Sequence, residues 1–148
     1  MEVSTPKNGT LQTQRFIPYA AEAIYAAFSD PARLAKWWGP KDFTNTFQTF
    51  EFKDGGAWNH LMHGPDGKEY PNKSVFRELV AGKKIVIEHI CAPRFTLSVL
   101  LHPLENGTEI LWIQEFEDPE VAAAVRHICE SGNEQNLDRL QMLLRDER

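Results

Sequence analysis

DPEVAAAVRHICESGNEQNLDRLQMLLR, residues 118–145, carries no proline after Pro119. Asp118 offers a capping carboxylate, and Pro119 suits the first helical position, where its missing N–H would have no partner anyway. The stretch predicts one helix over 119–145, about 40 Å long at about 1.5 Å per residue. Val121, Val125, Ile128, Cys129, Leu137, Leu140 and Leu144 recur at helical spacing as an apolar stripe. A single helix with one apolar face has to bury it against another layer. The rest of the chain must therefore supply a broad apolar surface.

Residues 43–116 do so with the period of strands rather than helices. TNTFQTFEF (44–52), GAWNHLMH (56–63), NKSVFRELV (72–80), KKIVIEHI (83–90), RFTLSVLLH (94–102) and TEILWIQEF (108–116) alternate apolar and polar residues. KDGG, GPDG, AGK, CAPR and ENG separate them, short connections rich in the residues of hairpin turns, so the sheet is expected to be an antiparallel meander. TLQTQRFI (10–17) adds a seventh strand. Two short helices follow it, AEAIYAAFS and PARLAKWW. Asp30-Pro31 starts the second and Gly39-Pro40 ends it. The expected class is α+β in the helix-grip arrangement: a seven-stranded curved antiparallel sheet wrapped around a long C-terminal helix, with two short helices between strands 1 and 2. Residues 1–9 are expected to be a flexible N-terminal segment and residues 10–148 a single domain.

Composition excludes several function classes. The 148 residues are 42% hydrophobic and 25% charged, an ordinary globular balance. A net charge of −5 argues against nucleic acid, whose binding is driven by cations neutralising phosphates, and against an anionic membrane surface. Apolar runs such as FTLSVLL fall far short of the roughly 20 residues that span a bilayer. The start, MEVSTPKNGT, lacks the charged and apolar regions of a signal peptide. Cys91 and Cys129 are too few for a disulfide framework, so both are read as reduced and the expected location is cytoplasmic. Nothing matches a nucleophile elbow, a phosphate loop or a nucleotide fingerprint. No cofactor and no metal are expected. His60 and His63 stand three apart in a strand and so point to opposite faces. His89 and Cys91 share a face but lack a third ligand.

IPYAAEAIYAAFSDPARLAKWWGP (17–40), GPDGKEYPNKSVFREL (64–79) and SGNEQNLDRLQMLL (131–144) resemble the activator of heat-shock protein 90 ATPase homologue family, within the START-like (SRPBCC, birch-pollen-allergen-like) superfamily. The resemblance covers nearly the whole chain after residue 10. It implies a curved sheet gripping the long helix, with a cavity between them that in relatives holds apolar or aromatic small molecules. It implies no fixed catalytic set, because the superfamily spans binders, cyclases and chaperone cofactors. The family name adds an association with stress response. One departure stands out: relatives usually carry Gly-Trp where this chain has Gly132-Asn133. Position 133 lies four residues after Cys129 and four before Leu137, on the apolar stripe. Either the pocket is larger and more polar there, or Asn133 bonds backbone or water at a kink around Gly132.

These considerations give a set of candidate ligand-binding residues. Trp37 and Trp38 point to different sides of their helix, so one can plug the core while Trp38 faces the cavity mouth; both serving only as packing is the alternative. Trp58, His60 and Met62 alternate onto one face, as do Trp112, Gln114 and Phe116, and both triplets are expected in the cavity wall, with plain core the alternative. Cys129 and Asn133 complete the set from the helix. Glu88 and Glu115 could offer a carboxylate to the pocket or face solvent. His60, Arg77, Glu88 and His127 are the groups an enzyme reading would turn on. Catalytic residues remain unassigned. Three functions follow: a binder of a small hydrophobic molecule, a protein-interaction domain of the chaperone-cofactor kind, or a cyclase or hydrolase using the same cavity. A monomer or a homodimer fits each.

Overall fold

A computed structural model describes residues 9–147 of the chain. In order come β1 (Thr10–Ile17), α1 (Ala21–Ser29), α2 (Pro31–Trp37), β2 (Thr44–Phe50), β3 (Ala57–His63), β4 (Glu69–Val80), β5 (Lys84–His89), β6 (Phe95–Leu104), β7 (Gly107–Phe116) and α3 (Pro119–Asp146). The segment expected to be flexible lies outside the described residues except for Gly9. That residue is buried, and its carbonyl accepts the Phe116 N–H at 2.8 Å.

The strands form one antiparallel sheet in the order β1-β7-β6-β5-β4-β3-β2. Hairpins connect β2 to β7 in sequence, and β1 returns to pair with the last strand, Thr10 opposite Glu115 and Ile17 opposite Thr108. Two bulges bend it. Gln48 is the extra residue between Phe47 and Thr49 on β2, and Arg77 between Phe76 and Glu78 on β4. An inserted residue kinks a strand and increases its twist, which lets the sheet curve around a helix. The Gln48 bulge also breaks the simple alternation, so Phe47 and Phe50 turn the same way and stack with ring centroids 5.6 Å apart. The architecture is the helix-grip α+β fold.

Helix starts follow their local chemistry. Asp30 accepts the Ala32 N–H at 3.0 Å with Pro31 next to it, and Asp118 accepts the Glu120 N–H at 2.9 Å with Pro119 next to it. α3 runs unbroken through Gly132, so the alternative of a kink there is not accompanied by a break in the helix. Its buried residues are Ala122, Asn136, Leu137, Leu140 and Leu144. Ile128 does not belong to the stripe and is 75% exposed. At about 100° per residue it lies about 120° around the helix from the line through Ala122 and Leu140. Ala122 takes the buried position because the helix there approaches Leu11 and Phe116. Arg15 of β1 adds two ion pairs to that packing, to Glu134 at 2.8 Å and Asp138 at 2.7 Å.

The main core joins Ile24 and Phe28 of α1, Leu34 and Trp37 of α2, Leu137, Leu140 and Leu144 of α3, and the inner face of the sheet. Trp37 is fully buried, edge-on to Phe28 with centroids 4.8 Å apart, and its indole N–H donates to the Ala27 carbonyl at 3.1 Å. That bond lets a large indole enter the core without stranding its polar atom.

Candidate functional site

The site begins with the way α2 ends. A helix leaves its last carbonyls without intrahelical partners, and here α3 supplies donors for them. Asn136 donates to the Trp37 carbonyl at 2.9 Å and accepts the Gly39 N–H at 3.2 Å. Arg139 Nη1 donates to the carbonyls of Trp38, Gly39 and Pro40 at 3.0, 3.0 and 2.9 Å, and Nη2 to those of Lys36 and Phe43 at 2.8 and 2.9 Å. One guanidinium thus collects five carbonyls of the α2–β2 connection. Gly39 holds φ +96°, a backbone conformation that strains any residue with a Cβ, which favours glycine at this turn; the Met62 methyl packs against its open side. The result fixes Trp38 with its ring turned inward, 5.0 Å from Trp58 and 5.8 Å from Trp112.

Behind Trp38 lies a cavity of about 250 Å³ between the sheet and α3. All eight candidate residues line it: Trp38 from the end of α2, Trp58, His60 and Met62 from β3, Trp112 and Gln114 from β7, and Cys129 and Asn133 from α3. Phe116 does not, and corrects the expectation for its triplet. It packs with Leu11 and Ala122 in a separate apolar cluster, because α3 closes onto the sheet at that end. Further lining comes from Asn72 and Ser74 of β4, Ile87 and His89 of β5, Phe95 and Leu97 of β6, and Gly39 and Asn136. Cross-strand register brings these together. Asn72 stands opposite His60, Ser74 opposite both Trp58 and His89, and His89 opposite Phe95. Alternation within each strand was readable, but which strand sat beside which polar residue needed the register.

Electrostatically the wall is unusual in one respect. Among the described residues no Asp, Glu, Lys or Arg lines it, and its titratable groups are His60, His89 and Cys129. Burial raises the Cys129 thiol pKa, which keeps it protonated at neutral pH. His89 is pulled down by burial, against the raising effect of main-chain hydrogen bonds at Pro93 and Cys91. Its Nδ1 faces the Pro93 carbonyl at 2.8 Å, and its Nε2 lies 2.8 Å from the Asn72 side chain and 3.4 Å from Cys91 Sγ. His60 has no such partners. It is 2% exposed, and among the described residues neither ring nitrogen has a hydrogen-bond partner, nor has the Trp58 Nε1–H beside it. Burial, with a smaller contribution from His89, pushes the His60 pKa down to about 4, so the ring is neutral at pH 7. Each buried polar atom left unpaired costs about 1–3 kcal/mol. Across the cavity Asn133 Nδ2 donates to Gln114 Oε1 at 3.1 Å, so the amide at position 133 is satisfied by a side chain rather than by backbone.

The remaining candidates point away. Glu88 faces outward, bound to Arg77 at 2.6 Å and Arg94 at 3.5 Å, and Glu115, Arg77 and His127 are exposed. His63 lies on the outer face against Thr46 and Glu69. Among the described residues no group of three His, Cys, Asp or Glu is placed to hold a metal ion, and no helix is long and apolar enough to cross a membrane. Two other depressions differ in kind. A pocket of 250 Å³ is edged by Glu88, Arg94, Glu115 and Glu117, and an open groove of 620 Å³ by Lys41, Asp42, Asp138 and Arg139. The first is edged by charges, and the open groove mixes its charges with Phe43 and Met142, whereas the cavity behind Trp38 is the more enclosed and is largely apolar.

The geometry has close counterparts among solved structures. Protein NE0264 from Nitrosomonas europaea superposes with a TM-score of 0.88 at 19% identity, covering 99% of this chain and 100% of its own. Protein CV1439 from Chromobacterium violaceum gives 0.82 at 26% identity, over 90% and 96%. The AHSA1 (SPO3351) protein from Silicibacter pomeroyi gives 0.76 at 22% identity, over 94% and 99%. No curated protein matches the sequence. The family profile described as Activator of Hsp90 ATPase homolog 1-like protein matches residues 18–145, from the turn before α1 to the last turn of α3. The chain belongs to the Activator of Hsp90 ATPase homolog 1-like family.

Proposed function

We propose that this protein binds a small apolar or aromatic molecule in the cavity between the sheet and α3. The observation that carries this reading is the cavity itself, about 250 Å³, walled by Trp38, Trp58 and Trp112 with a few convergent polar groups and no ionic side chain. Ligand pockets have this character, and this one lies just below their usual range of about 300–1,000 Å³. At the packing density of about 0.74 found in protein interiors, it suits a molecule of about one or two rings.

The other functions find less support at this site. A general base needs a partner that orients it; His60 has none, and His89, held at Nδ1 by the Pro93 carbonyl, has its Nε2 taken up by Asn72. A chaperone-type interaction would rest on an apolar surface patch; Met142 shares an open groove with Phe43, whose ring lies 6.0 Å from the exposed Tyr70, but Lys41, Asp42, Asp138 and Arg139 edge that groove with charge. The two cysteines, both free, suit a reducing compartment such as the cytoplasm. The deciding experiment is native mass spectrometry of freshly purified protein, followed by thermal-shift titration with a panel of one- and two-ring aromatics. A retained mass adduct, or a saturable rise in Tm for at least one compound, is expected. A bare mass together with an unmoved Tm across the panel would sink the reading.

A further inference from the structure

We propose that the cavity selects a ring compound bearing adjacent N–H and C=O groups, a lactam or carboxamide, and reads them with the paired side-chain amides of Gln114 and Asn133. This inference rests on the binding reading above and narrows it to a ligand chemistry. Gln114 comes from β7 and Asn133 from α3, and both line the space between sheet and helix. One hydrogen bond joins them, from Asn133 Nδ2 to Gln114 Oε1 at 3.1 Å. Gln114 is 7% exposed, and its neighbours across the sheet, Leu11 and Leu97, have no polar side-chain atom to offer it. Asn136, further along α3, is already committed to Trp37 and Gly39. Among the described residues neither the Gln114 side-chain NH2 nor the Asn133 side-chain oxygen has a hydrogen-bond partner, and they do not bond each other. Native proteins leave few inward polar groups in that state, and each asks for an explanation. The unpaired nitrogens of His60 and Trp58 are sealed off, whereas these two groups keep accessible surface and can be touched from the cavity.

The hydrogen-bonding inventory then dictates the ligand group. A side-chain amide carries two N–H donors and one carbonyl acceptor. Joined by a single bond, the pair still offers a donor on one residue and an acceptor on the other. Turning both amides over exchanges the roles and leaves the same two free groups. An N–H beside a C=O answers both: its oxygen accepts from the free NH2, its N–H donates to the free carbonyl, and the three amides close a ring of hydrogen bonds. A hydroxyl would have to serve both from a single atom, whereas an amide spans them with two. An ester or ketone answers only the donor and leaves the free carbonyl unpaired. A carboxylate only accepts, and it would bring a charge into a wall where, among the described residues, no Lys or Arg stands. The ring of the ligand follows from the surroundings: Trp112 lies on the same face of β7 as Gln114, with Trp38 at 5.8 Å, and another ring packs well on such faces and edges.

The test compares 2-quinolinone, coumarin and naphthalene at pH 7 against the unmodified chain by calorimetric titration. The first two share one shape and differ only in an N–H exchanged for a ring oxygen, and naphthalene has neither polar group. One hydrogen bond gained, and an unpaired carbonyl avoided, predict that 2-quinolinone binds about tenfold or more tighter than coumarin. In the double variant Gln114→Met, Asn133→Leu, apolar groups of similar size replace both amides together, which is the change that costs folding least. There the preference for 2-quinolinone should fall to about twofold or less. If that variant does not fold or binds neither compound, the comparison on the unmodified chain decides alone. Binding of 2-quinolinone no tighter than that of coumarin, or a preference that the double variant leaves intact, overturns the amide assignment. Uptake of coumarin or naphthalene then leaves the cavity-binding reading standing. Failure of all three to bind removes both.

Discussion

His60 is a residue the protein holds at a cost. Its ring is buried, neutral and without a partner, which suits selection for something other than stability. Replacing an unpaired polar group by an apolar one of similar shape is neutral to stabilising. His60→Phe is therefore expected to raise unfolding free energy by about 1–2 kcal/mol, measured by urea denaturation at pH 7. An unchanged or lower stability would mean that the nitrogens are satisfied in solution. The same residue sets a pH dependence. Its folded pKa of about 4 lies below the ordinary 6.5, so between those values the unfolded chain binds the extra proton and stability rises with pH. The contribution is complete above about pH 6.5 and is lost as pH falls to about 4, about 3 kcal/mol in all. The titratable groups facing it are His89 from β5 and Cys129 from α3, with no carboxylate in the wall to offset the charge. His89, also depressed, acts in the same direction. Denaturation midpoints should fall steeply as pH drops from 7 to 4 in the native chain and less so in His60→Phe.

At the scale of elements, the join between α2 and α3 explains how the cavity gets its mouth. Two adjacent tryptophans at a helix end divide their labour. Trp37 enters the core and bonds Ala27, while Trp38 turns toward Trp58 and Trp112. Gly39 and Pro40 end α2 in a way their chemistry foretells, but the carbonyls they leave free are gathered by Asn136 and Arg139, nearly a hundred residues later. Asn136→Ala removes two buried hydrogen bonds and strands the Trp37 carbonyl. The expected loss is about 2–3 kcal/mol, read by thermal or urea unfolding, with a change in Trp38 fluorescence as the loop loosens. A loss below about 0.5 kcal/mol would mean that the clamp rests on Arg139 alone.

For the whole molecule the question is whether the space between sheet and helix is functional or merely tolerated. Asn133 gives a direct test, since its small amide faces that space and bonds Gln114. Asn133→Trp should fill the cavity, raise Tm by several degrees and abolish ligand uptake. A Tm gain of about 4 °C corresponds to about 1 kcal/mol for a domain near this size. Retained binding in that variant, seen in the same calorimetric titration, would place the ligand elsewhere.

The sequence by itself determined the elements and their order. The strand alternation, the Asp-Pro helix starts and the Gly-Pro stop are local, and local chemistry is written in neighbouring residues. It determined for the same reason that Trp58, His60 and Met62 share a strand face whatever stands beside them, but not that this face turns inward. Tertiary structure alone decided where the helix sits close to the sheet and where it stands off. That choice exposes Ile128, buries Ala122 and withdraws Phe116 from the cavity. It also decided which polar groups find partners. His89 meets Pro93, four residues on, and Asn72 across the sheet, while His60 meets none although Asn72 stands opposite it in the register; which neighbour a side chain turns to is settled only when the strands, helix and loops are packed together, and no single strand carries that.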